Sequence, residues 1–173
     1  MQRLPYSFSK QAIPPGFTLV ELCVVLALLA ITTSWAAPAL QHWLWRLRVE
    51  TVTQAWLADL QAARVQAFRG GQALQLQRIP SCGRKPTHDG DWRCGWQLLS
   101  MTASAPLWVK DLSGEVSVQL NPQQPLLLIN AQGEAVAGGL RVVIQGQGPA
   151  PVVRSICINT TGRARVVQAA TCA

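Results

Sequence analysis

The chain has 173 residues, room for one long helix and one modest domain but not for two domains. Hydrophobic residues make up 49% and charged residues only 13%, a bias that comes largely from the amino-terminal third. With 15 Lys+Arg against 8 Asp+Glu the formal charge is +7, which directs the chain toward acidic partners: nucleic acid, anionic lipid or an acidic protein surface.

Residues 1–16 form a polar leader carrying Arg3 and Lys10 and ending in Pro14-Pro15-Gly16. Its positive charge favours a cytoplasmic amino terminus, although Arg46 and Arg48 stand near the far end of the apolar run that follows. That run, Phe17 to Leu40, contains Glu21 as its only ionised side chain. At about 1.5 Å per residue, roughly 20 apolar residues cross a hydrocarbon core of about 30 Å, so the run predicts a membrane-spanning helix extending to residue 45. A carboxylate inside such a helix costs roughly 2.5 to 3.5 kcal/mol, and the expected reason for it is a partner. The polar-to-apolar break also precedes the apolar run. A conventional signal peptide is cut after that run, whereas a cut here leaves the helix on the mature protein.

The stretch Gly16-Phe17-Thr18-Leu19-Val20-Glu21, followed by the apolar helix, resembles the prepilin motif of the type IV pilin and pseudopilin superfamily. The resemblance implies that a prepilin peptidase cuts between Gly16 and Phe17 and that the new amino terminus on Phe17 is methylated. It also implies that Glu21 pairs with the terminal amine of a neighbouring subunit in a filament. A buried carboxylate and a buried ammonium are tolerable together and expensive apart. Pro38 falls where many members of the superfamily carry a helix-kinking proline.

From residue 46 to 69 the helix is expected to continue outside the membrane, because Val49, Val52, Trp56, Leu60, Ala63 and Ala67 recur at spacings of three and four. Arg46 and Glu50, one turn apart, are expected to pair on its solvent side, and Trp43 and Trp45 to lie at the membrane interface. Gly70-Gly71 ends the helix. The period then changes to two, and residues 70–173 predict a β-rich domain. Its strand candidates are Gln72 to Ile79, Trp96 to Ser100, Leu107 to Lys110, Glu115 to Leu120, Leu126 to Asn130, Leu140 to Gln145, Val152 to Asn159 and Arg163 to Gln168. A long helix followed by antiparallel strands gives an α+β domain in which the helix lies on a sheet.

Five cysteines are present; Cys23 lies in the apolar run and Cys82, Cys94, Cys157 and Cys172 lie beyond it. An even number outside the run suggests disulfides in an oxidising compartment. Sequence order favours Cys82 with Cys94 and Cys157 with Cys172, with three pairings open in principle. Neither a C-x-x-C knuckle nor any other metal-ligand cluster stands out, and His88-Asp89-Gly90-Asp91 reads as turn chemistry. No nucleophile with its base and no phosphate loop is evident, so neither an enzyme nor a cofactor is expected.

After Glu134 the chain carries no acidic side chain, while Arg141, Arg154, Arg163 and Arg165 remain. The segment from Ser155 to Val167 reads as strand, turn and strand, with Gly162 allowing a positive φ in the turn and Arg163 and Arg165 on one face. With the Gln132-Gly133 turn and this terminal Gly-Arg-Ala-Arg, the chain resembles the FimT/GspH family of minor pilins and pseudopilins. In FimT-type members a Gly-Arg-x-Arg motif is implicated in binding double-stranded DNA during natural transformation. The resemblance carries that role to Gly162, Arg163 and Arg165, with Arg154, Arg141, Arg84 and Lys85 as further basic candidates. The implied setting is the bacterial inner membrane with the carboxyl-terminal domain in the periplasm, then a pilus or a type II secretion pseudopilus built with other pilins.

Overall fold

The computed structural model describes residues 16, 18–83, 87–103, 105–112, 116–136, 139–148, 151–159 and 161–172. The leader through residue 15, Phe17, Arg84 and Lys85 lie outside the described residues, as do Glu115 and Thr160. One helix, α1 (Leu19–Gly70), precedes eight strands: β1 (Leu74–Arg78), β2 (Gly95–Ser100), β3 (Pro106–Asp111), β4 (Val116–Asn121), β5 (Leu126–Ile129), β6 (Leu140–Gly146), β7 (Val153–Ile158) and β8 (Ala164–Val167). The chain divides into two compact units, Met1–Ala39 and Leu40–Ala173.

In the first unit Thr18 caps the helix: its hydroxyl accepts the Glu21 N–H at 3.2 Å and its carbonyl accepts the Leu22 N–H at 3.1 Å. Leu19, Leu22, Val25, Leu26 and Leu29 are all exposed, an apolar surface far beyond what scattered surface leucines would give. Thr32, Thr33 and Ser34 return their hydroxyls to the carbonyls of Leu28, Leu29 and Ile31, so these polar groups need no outside partner. From Leu19 onward the span expected from Phe17 to Leu40 falls within α1, where only a bent pair of stretches satisfies the requirement for crossing a membrane. Among the described residues no single helix is long and apolar enough to cross a membrane, and the stretches Leu19–Ser34 and Ala37–Gly70 meet that requirement only together. Pro38 lies inside α1 and, as a proline, has no N–H to donate to a carbonyl one turn back.

In the second unit all six helix positions picked out by their spacing, Val49, Val52, Trp56, Leu60, Ala63 and Ala67, are buried. They join one core with Leu74, Leu76, Trp96, Leu98, Leu127 and Ile129 from one sheet and Val118, Leu120, Leu140, Val142, Ile144 and Ile156 from the other. Gly71, at φ 59, ends the helix; its N–H meets the Phe68 carbonyl and the Gln72 N–H meets that of Ala67, closing off two orphan acceptors. The strands form two antiparallel sheets of four, ordered β3-β2-β1-β5 and β4-β6-β7-β8. Between them Gly90 to Trp92 runs beside β4, with Trp92 N–H on the Val118 carbonyl and Leu120 N–H on that of Gly90.

Two expectations about side chains change. Glu50 accepts from Gln54 at 2.9 Å and from Arg154 at 3.4 Å, not from Arg46, because the core-facing row of β7 brings Arg154 to the helix. Trp45 is half-buried, packed on Gly146 and Gly148 with the Arg48 guanidinium 5.0 Å from its ring, so only Trp43 keeps the free exposure of an interfacial indole.

Candidate nucleic-acid interface

The terminal hairpin is set by a turn from Asn159. Its carbonyl accepts the Gly162 N–H at 2.9 Å, and its side-chain oxygen accepts the Arg163 N–H at 2.8 Å. Gly162 has φ 78, and a Cβ there would sit 3.2 Å from the Arg64 guanidinium carbon and 3.3 Å from the Ala135 nitrogen. Glycine is therefore needed twice over, for the backbone angle and for the space. The Asn130–Gly133 turn has the same construction, with Gly133 at φ 76 and its N–H on the Asn130 carbonyl. Arg64 joins the two turns: its Nε donates to the Gly133 carbonyl at 2.6 Å and one terminal nitrogen to that of Gly162 at 2.8 Å. Arg64 was not among the residues the sequence singled out. Its only signal there is a charge beside the small, buried positions Ala63 and Ala67.

The hairpin forms one side of an open groove of 950 Å³. Arg141, Arg163 and Arg165 all line it, with Asn121, Asn159 and the Cys157–Cys172 bridge, and among the described residues none that lines it is acidic. Arg163 and Arg165 are exposed and Arg141 is half-buried. Three of the sequence candidates thus come together. Arg154 does not join them: it pairs with Ile144 in the ladder, on the core side, and its guanidinium is taken by Glu50. Guanidiniums gathered in one concavity suit an anion with several acceptor oxygens.

Both disulfides favoured by sequence order are formed, Cys82–Cys94 and Cys157–Cys172, with Cα separations of 5.3 and 5.8 Å. The loop closed by the first contains Asp91, which is fully buried. Its oxygens accept from the Thr87 amide and hydroxyl at 2.9 and 3.1 Å and from the Arg93 amide and Nε at 3.3 and 2.9 Å. Burial pushes the Asp91 carboxyl up, but these donors outweigh it and hold it below the ordinary carboxylate range. The carboxylate is therefore a structural knot that binds the loop.

Comparison with known proteins agrees with this architecture. The type IV minor pilin FimU of Pseudomonas aeruginosa strain PAO1 is similar in structure in two crystal forms. One has a TM-score of 0.58 with 22% identity over 70% of this chain and 90% of that one. The other has 0.55 with 22% identity over 68% and 91%. The minor pseudopilin EpsH from the type 2 secretion system of Vibrio cholerae gives 0.52 with 15% identity over 69% and 96%. At these identities the likeness is one of fold. No curated protein matches the sequence. Residues 52–162 match the family model described as type II transport protein GspH, which covers α1 from Val52 onward, all the strands up to β7 and the turn at Gly162. The chain is therefore a member of the GspH family of type IV pilin-like proteins.

Proposed function

We propose that this protein is a minor pilin that binds extracellular double-stranded DNA without sequence preference and serves DNA uptake in natural transformation. The observation that carries the reading is the groove in which Arg141, Arg163 and Arg165 meet, with no acidic residue among the described residues that line it. Guanidiniums placed this way neutralise phosphates and release condensed counterions. They position a duplex without reading its bases, and affinity falls steeply with salt. In this reading the leader is removed between Gly16 and Phe17 by a prepilin peptidase and Phe17 is methylated. The apolar helix holds the protein in the bacterial inner membrane, with the β-rich domain of residues 70–173 in the periplasm, until Glu21 meets a neighbouring subunit's terminal amine. The exposed apolar helix surface and the internally satisfied hydroxyls support that setting. The role is one of assembly and binding, not catalysis.

A second reading is favoured by the description of the matched family and by the likeness to EpsH: a type II secretion pseudopilin that contacts only sister subunits in a filament tip. The two separate in a fluorescence-polarisation titration of the full chain, held in an uncharged detergent, with labelled duplex DNA at about 50 and about 200 mM salt. The DNA-binding reading expects weak binding that falls with salt and is lost in Arg163→Ala/Arg165→Ala. No binding at the lower salt leaves the pseudopilin reading.

A further inference from the structure

The register of the second sheet sets four residues in one row across its outer face. Asn121 is opposite Arg141, Arg141 opposite Cys157, and Cys157 opposite Arg165. Neighbouring strands are about 4.8 Å apart, so Arg141 and Arg165 stand about 10 Å apart with Cys157 between them. Cys157 is bonded to Cys172, and Ser155, two residues back along β7 and on the same face, donates its hydroxyl to the Ala169 carbonyl at 2.6 Å. These two ties fold the tail after β8 back over the outer face, where Thr171 and Cys172 line the groove. The arginines on the floor thus face a wall that the disulfide holds in place. The Nε of Arg141 is buried and has no acceptor among the described residues. Arg141 itself lines the groove, and a guanidinium placed there suits a phosphate oxygen.

From this arrangement we infer that the tail closed by Cys157–Cys172 is part of the anion site and that Arg141 is its third phosphate contact, so that a phosphodiester backbone lies inside the groove across β6 to β8. The inference rests on the DNA-binding reading and adds to it the course of the phosphodiester backbone across β6 to β8 and a wall that the Gly-Arg-Ala-Arg segment does not supply.

The test uses the full chain in uncharged detergent with the same labelled duplex. Arg141→Met is expected to lower affinity about tenfold at low salt and to reduce the slope of log K against log salt by about 1, with Arg141→Lys recovering the slope. In the wild type, DNA is expected to slow amide hydrogen exchange at residues 168–172 and in β6. That measurement needs no variant, so a loss of folding in Arg141→Met cannot stand in for the answer. Wild type that fails to bind overturns the DNA-binding reading and this inference with it. Binding that is lost in Arg163→Ala/Arg165→Ala but is unchanged in Arg141→Met, with no slowing in the tail, overturns this inference alone and leaves the hairpin assignment intact.

Discussion

Arg64 on α1 donates to the main-chain carbonyl of Gly162 at 2.8 Å, across 98 positions of sequence, and its Nε holds the Gly133 carbonyl at 2.6 Å. One guanidinium therefore fixes the turn before β8 and the turn after β5. Hydrogen bonds from a charged group are worth roughly 1.5 to 3 kcal/mol, and removing the donor leaves two carbonyls to find water. Arg64→Ala is expected to lower unfolding free energy by about 2 kcal/mol in urea titration and to speed amide exchange at Gly162 and Arg163. Arg64→Lys, a point charge without the fork, should recover only part of the loss.

Gly162→Ala is expected to destabilise by more than about 1 kcal/mol, since the new methyl meets the Arg64 guanidinium and the backbone angle is unfavourable for any L side chain. Thermal melting of the two proteins side by side checks it. An unchanged midpoint would remove the argument that this glycine is needed for shape before any role in binding.

Asp91 gives a pH dependence whose sign is fixed. Its folded-state pKa is depressed, so its contribution to stability is fully present above the ordinary carboxylate value of about 3.9 and is lost as pH falls through the lower folded value. Melting temperatures between about pH 5 and pH 2.5 should drop for the wild type more steeply than for Asp91→Asn. Near neutral pH the variant should already be the less stable, because four donors then face a weaker acceptor.

Processing offers a test independent of binding. Intact-mass measurement of protein recovered from a host that carries a prepilin peptidase is expected to give a chain beginning at methylated Phe17. Gly16→Glu should leave the leader in place. Protein that still begins at Met1 in both would remove the filament-subunit setting.

The helix and the strands could be read from sequence because their signals are local. Val49 through Ala67 obey a 3.6-residue period, and Leu74 with Leu76 or Val116 with Val118 obey a period of two. Every strand candidate corresponds to a strand within about two residues at its ends. What remained hidden depends on pairing between distant segments. That the strands divide into two sheets follows from β1 pairing with β5, a partner that no local pattern names. Arg154 and Arg141 look alike as isolated arginines near strands; only the register puts one beside Glu50 on the core side and the other in the groove. Arg64 reads as an ordinary solvent-facing charge until the two glycine turns arrive above it.

The lacing of Gly90 to Trp92 along β4 has a mechanical corollary. The β4 margin is sewn by main-chain bonds and anchored by a disulfide loop, whereas at the β5 and β8 margin Arg64 bridges the turns with side-chain bonds. The tie between the Gly133 and Gly162 turns therefore runs through one helix side chain, whereas β4 is tied to Gly90–Trp92 through main chain.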